Sequence, residues 1–115
     1  MSNTAEPYVD LYLLPVRAAE LDRYREQALA FGRVAVELGA LSYRELVGDD
    51  LDESLAVEDG MVLTAAIAEF ASREDRDAIM ERVMADERVE ALMAAESPAD
   101  MSRMRFGGFR PLLRA

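Results

Sequence analysis

Asp10 is the one charge in the apolar run Tyr8 to Val16, and a tyrosine stands two residues to either side of it. In an extended chain, residues two apart share a face. Tyr8, Asp10, Tyr12 and Leu14 therefore fall on one side, and Val9, Leu11 and Leu13 on the other. A carboxylate in such surroundings either opens onto a solvent-filled cavity or meets an arginine. If burial raises its pKa, it can serve as a base or hold a ligand. A structural bond to arginine or backbone is the plainer alternative and the preferred one. For a base role, Tyr12 or Tyr43 is the hydrogen-bond partner, and Arg105 would steady an enolate-like charge. As ligand contacts the candidates are Asp10, Tyr12, Glu69 and Arg105.

Three other groupings carry possible chemistry. Gly48-Asp49-Asp50 places two adjacent carboxylates in a turn. Adjacent acids diverge, and the calcium-loop spacing is missing, so a solvated turn with an Asx-type bond is the preferred reading. Arg103, Arg105, Arg110 and Arg114 gather near the end of an acidic chain. They could bind an anion or nucleic acid, but meeting the acidic 45–59 segment, of the same chain or of a partner, needs no ligand. Met80, Met84, Met93, Met101 and Met104 suit irregular core or subunit-interface gaps.

Composition narrows the chemistry further. The 115 residues carry a formal net charge of −10, and all 13 basic residues are arginine; Cys, His, Trp and Lys do not occur. Zinc, copper and haem sites with their usual protein ligands cannot be built. A Cys nucleophile, a His base and a Schiff-base Lys are excluded as well. No cofactor or metal site is expected, with a carboxylate-bound Mg²⁺ or Ca²⁺ the only opening left. The negative charge disfavours nucleic acid and anionic lipid. No stretch approaches the roughly 20 apolar residues that span a bilayer. Without a basic, apolar leader the expected location is the cytoplasm.

The elements that must position these residues follow from periodicity. Tyr8 to Val16 reads as a strand ended by Pro15. Leu21, Tyr24, Ala28, Phe31, Ala35 and Leu38 mark one helix face over about 17–38, closed by Gly39. Leu41 to Val47 is a second strand, and the acidic 48–60 segment is an exposed connection. Met61 to Phe70 is a third strand, its alanines leaving helix as the competing reading. Ser72 and Asp75 resemble a capping box opening a helix over 73–85, with Val89, Leu92 and Met93 adding a turn or two before Ser97-Pro98. Met104 to Leu113 is the last strand, where Gly107-Gly108 implies a bulge or a close approach. The order β-α-β-β-α-β in one domain over 1–115, with 1–7 an extended or disordered lead-in, is the ferredoxin-like arrangement with an antiparallel sheet.

Several ordered pieces resemble the YbaA-like family of bacterial proteins of unknown function. They are Tyr8-Val9-Asp10, Gly39-Ala40-Leu41 with Tyr43 and Glu45, and Gly48-Asp49-Asp50. Ser72-Arg73 with Arg76-Asp77, Val83-Met84-Ala85-Asp86 with Arg88, and Gly107-Gly108-Phe109 complete them. The resemblance implies a homodimer of the dimeric α/β-barrel type, in which two sheets pair face to face. Leu11, Leu38, Ala65-Ala66 and Glu87 depart from that family's pattern, where Gly, His, an aromatic and Pro are expected. Those departures weigh against catalysis. The expected function is therefore binding of a small organic molecule in a sheet-lined cavity. A cofactor-independent monooxygenase-like or isomerase-like activity is the alternative, and a structural or protein-interaction role stands third. The face carrying Tyr8, Tyr12 and Leu14 is expected to be the one a second copy covers.

Overall fold

The computed structural model describes residues 6–115, so the expected lead-in lies outside the described residues except for Glu6 and Pro7. Strand β1 (Tyr8–Arg17) leads through a single 3-10 turn into helix α1 (Leu21–Glu37). Strands β2 (Ser42–Val47) and β3 (Met61–Phe70) follow, then helices α2 (Arg73–Ala85) and α3 (Glu87–Ala94), and strand β4 (Arg105–Phe109). The sheet order is β2-β3-β1-β4, and every neighbouring pair is antiparallel. This is the ferredoxin-like arrangement the sequence predicts.

The helices lie on one sheet face. Alternation along β3 separates the two sides. Thr64, Ala66, Ala68 and Phe70 point toward the helices and are all buried. Ala68 and Phe70 join Val34 and Ala35 of α1, Ile79 and Val83 of α2, and Val89 of α3 in the main core. A smaller cluster of Leu14, Val16 and Ala99 closes the far end of β1. The alanines of β3 suit this side because the helix-facing layer is already filled by larger neighbours. Their position in a central strand, paired on both flanks, overrides a weak strand propensity.

Local signals set the helix ends. Gly39 takes φ +130°, a left-handed value open to glycine and strained for other residues. Ser72 Oγ accepts the Asp75 amide at 3.0 Å and caps α2. Asp86 caps α3 by accepting the Arg88 amide at 2.9 Å, so the expected continuation of α2 is a separate helix.

Five expectations are corrected. Pro15 does not end β1, which pairs with β3 through Arg17. The Pro15 carbonyl accepts from Asp100 at 2.8 Å, so its nitrogen also faces away from β3, on the side where β4 pairing has stopped at Leu13. No ladder bond is lost there. Gly107 and Gly108 form no bulge, since the ladder runs unbroken through Leu11↔Gly107 and Asp10↔Gly108. Glycine is needed at 108 because a Cβ there would collide with the Tyr8 ring. The last strand covers Arg105–Phe109 rather than Met104 to Leu113, and of the methionines Met80 and Met104 pack against the core clusters while Met84, Met93 and Met101 are exposed on this chain. Finally, Tyr8, Tyr12 and Leu14 sit under the helices, and the open side carries Val9, Leu11 and Leu13. Alternation predicts which residues travel together, but not which set the helices cover.

Candidate functional site

Two polar groups occupy the helix side of the sheet, separated by Ala66 and Ala68. The first is built on β1. Asp10 keeps only 3% of its surface exposed. Its Oδ1 accepts from Arg76 Nη1 at 2.5 Å and its Oδ2 from the Tyr12 hydroxyl at 3.3 Å. Arg76 reaches it from the first turn of α2, bonds Asp77 Oδ1 at 2.8 Å, and lies 5.0 Å from the centroid of the Tyr8 ring. Tyr12 stacks on Phe106 across the β1–β4 pair, with centroids 5.6 Å apart. Burial pushes the Asp10 carboxyl above the usual carboxylate range, with Arg76 pulling the other way. Burial, then the Asp10 charge, push the Tyr12 hydroxyl up to about 12.

The second group is built on β2. Alternation puts Tyr43 and Glu45 on the same side, facing α1. Glu45 Oε1 accepts from the Tyr24 hydroxyl at 2.9 Å, and Oε2 accepts from the Tyr43 hydroxyl. The Tyr43 ring fits because position 32 of α1 is glycine; a Cβ there would strike it. Phe31 packs against the same ring at a tilt, centroids 5.7 Å apart. Burial pushes Glu45, Tyr24 and Tyr43 upward, although the two hydroxyls that bond Glu45 draw it back.

A cleft of about 320 Å³ opens beside this group, between α1 and the β2 edge. Leu21, Ala28, Leu29, Leu46 and Val47 supply apolar walls, while Tyr24, Tyr43, Glu45, Thr64 and the arginines Arg25 and Arg44 supply polar atoms. A second hollow of about 360 Å³ lies between Tyr8, Ser72, Arg73, Gly108 and Arg110. It is the more polar of the two and sits against the exposed chain end.

The structure thus gathers Asp10, Tyr12 and Tyr43 on one side of the sheet. Glu69 and Arg105 project from the other. Glu69 accepts from the Ser42 hydroxyl at 2.7 Å, and Arg105 pairs with Leu13 at the exposed β4 edge. A constellation of Asp10 with Arg105 is not assembled within one chain. Among the terminal arginines, Arg103 meets Glu58 of the acidic segment, and Arg114 Nε donates to Glu6 at 3.0 Å. Sequence reasoning did not single out Arg76, Tyr24 or Glu45 as site residues. Glu45 was readable in principle, because it shares a strand face with Tyr43.

Comparison with known proteins agrees with this architecture. The Escherichia coli K12 protein YbaA, itself uncharacterised, is 30% identical over 114 residues, covering 92% of this chain and 97% of YbaA. A crystallised NIPSNAP family protein from Agrobacterium tumefaciens superposes with a TM-score of 0.68 at 15% identity, over 97% of this chain and 91% of that one. A dimeric ferredoxin-like protein from an uncultured marine organism gives 0.52 at 10% identity, over 96% and 100%. Residues 7–101 match the family described as a protein of unknown function, DUF1428, and with the YbaA likeness spanning nearly the whole chain, this protein belongs to that family.

Proposed function

We propose that the chain binds a small organic molecule in the cleft between α1 and β2, and that it works as a homodimer joined through the open sheet face. The cleft itself carries the binding reading. Its volume of about 320 Å³ lies at the lower end of the range for ligand sites. Its walls are apolar, with a few polar groups held in place by packed tyrosines, which is the usual composition of such sites. Asp10, in contrast, is already engaged by Arg76 and Tyr12, so no base role is assigned to it. An isotope-edited NMR titration with a set of aromatic fragments tests the reading. Binding should perturb amides of 42–47 and 64, and Leu29→Trp at the rim should block it. Fragments that leave those amides unmoved, or that act equally on Leu29→Trp, would refute it.

The dimer reading rests on the open face. Val9, Leu11, Leu13, Ala65, Ile67 and Phe109 form an apolar surface there, with Leu11 37% and Phe109 54% exposed. A single chain rarely leaves such a continuous patch in water. A second copy offers the same patch about a two-fold axis, and the marine ferredoxin-like protein of similar fold is described as dimeric. Sedimentation equilibrium at micromolar concentration should return twice the 12.8 kDa chain mass, and Leu11→Glu should return the single chain. A parent protein that sediments as a lone chain would overturn this part.

A further inference from the structure

Glu45 has hydrogen-bond donors but no cation. Among the described residues Arg17, Arg23, Arg73, Arg76, Arg88, Arg103 and Arg114 all pair with acids. None pairs with Glu45, although Arg25 and Arg44 line the same cleft. The hydroxyls around it have spent their protons. The Tyr24 and Tyr43 hydroxyls donate to Glu45 itself. The Thr64 hydroxyl donates to the Leu14 carbonyl at 2.9 Å. What these groups offer toward the cleft is therefore lone pairs and one negative charge. A half-buried carboxylate without a counter-ion carries a desolvation cost that a matching cation would offset.

We propose that the ligand of this cleft is a small amine, its protonated nitrogen seated at Glu45 and its apolar body against Leu21, Ala28, Leu29 and Val47. The inference rests on the binding reading given above and names the ligand class for the same cleft. An ammonium group supplies several donors and no acceptor, which complements the acceptors at Glu45, a carboxylate with which neither Arg25 nor Arg44 of the cleft lining forms an ion pair. A carboxylate ligand seated at Glu45 would meet like charge, its partners in this cleft being Arg25 and Arg44 instead, and a neutral alcohol would supply one donor and no charge.

Three probes of matched size separate these cases: 2-phenylethylamine, 2-phenylethanol and 3-phenylpropanoate. Each is titrated into the parent protein while the amides of 42–47 and 64 are followed by NMR. The amine should bind about tenfold more tightly than the alcohol, a difference of about 1.4 kcal/mol, and the carboxylate more weakly than the amine. In Glu45→Gln, which keeps an acceptor for the tyrosines, the amine and alcohol should bind within about twofold of each other. Glu81→Gln, at an exposed acid of α2, controls for general attraction of cations to the acidic chain and should keep the tenfold preference. Equal binding of amine and alcohol to the parent, or an amine preference that survives Glu45→Gln, overturns the amine assignment and leaves the cleft reading standing. Silence from all three probes at the cleft removes both. The amine–alcohol contrast is read on the parent protein, so it decides the matter even if Glu45→Gln fails to fold.

Discussion

Arg76→Ala is the substitution with the clearest expected cost. It takes the guanidinium away from Asp10, which keeps only the 3.3 Å bond from Tyr12. Removing one partner of a fully buried ion pair costs about 3–5 kcal/mol. The Arg76 side chain is 21% exposed against 5% for Asp10, so water can reach the vacated end and the expected loss is about 2–3 kcal/mol at neutral pH. With a urea m-value of about 1–3 kcal/mol/M, the unfolding midpoint should fall by about 1–2 M. Measurements belong at one fixed protein concentration, because association would add to apparent stability. The pH dependence gives a second reading. Burial raises the folded-state pKa of Asp10, and without Arg76 it should rise further. A carboxyl raised on folding stabilises least when pH is high and both states are ionised. It recovers as pH falls toward the unfolded pKa of about 3.9. A neutral Asp10 needs no counter-ion, so the gap between parent and Arg76→Ala should narrow from pH 7 to pH 4. Asp10→Asn should cost about 1–3 kcal/mol alone and much less in the Arg76→Ala background. A loss below about 0.5 kcal/mol at pH 7, or one that does not change with pH, would refute the argument that this pair compensates a buried charge.

Other expectations are narrower. Gly108→Ala should lower stability by about 1–3 kcal/mol through the Tyr8 collision, while Gly107→Ala, whose Cβ would meet nothing closer than 3.9 Å, should leave the melting temperature nearly unchanged. Ser72→Ala should cost about 1 kcal/mol by uncapping α2, read by thermal melting. Tyr12, raised to about 12 by burial, should stay neutral in the folded state as pH passes 10, so stability should fall between pH 10 and 12; an ultraviolet titration showing Tyr12 ionising at pH 10 with the fold intact would contradict this.

The sequence carried the element order well because each helix has its own punctuation. Gly39 and the Ser72 cap both stand where periodicity changes. Strand faces were legible as sets: Tyr8, Asp10 and Tyr12 do share one side. Which set turns toward the helices depends on packing between elements distant in sequence, and periodicity holds no information on that. The same gap explains the candidate site. An arginine partner for Asp10 was foreseeable, but choosing Arg76 among 13 arginines requires knowing that α2 begins above β1. Arg105, one residue from Phe106, which lies beside Tyr12 on the helix side, falls on the opposite side through one step of alternation. Glu45 was hidden by its neighbours, since it begins a run of acids that belong to a solvated connection, whereas the strand period ties it to Tyr43.

The position of β1 in the sheet has a consequence for how the chain folds. Its two neighbours are β3, which starts at residue 61, and β4, whose Phe109 pairs with Val9. The first strand made is thus an interior strand whose partners arrive late, and one ladder joins residues about a hundred positions apart. Contacts of such long range slow folding, because chain closure must be completed before the pairing rewards it. During synthesis the apolar Leu11, Leu13 and Leu14 segment waits without a neighbour until more than half of the chain has been made. That interval is when self-association through an unpaired strand is most available. Asp10, immediately before the segment, puts a charge beside it at that stage, before Arg76 exists to neutralise it, and a charge next to an apolar strand disfavours premature pairing.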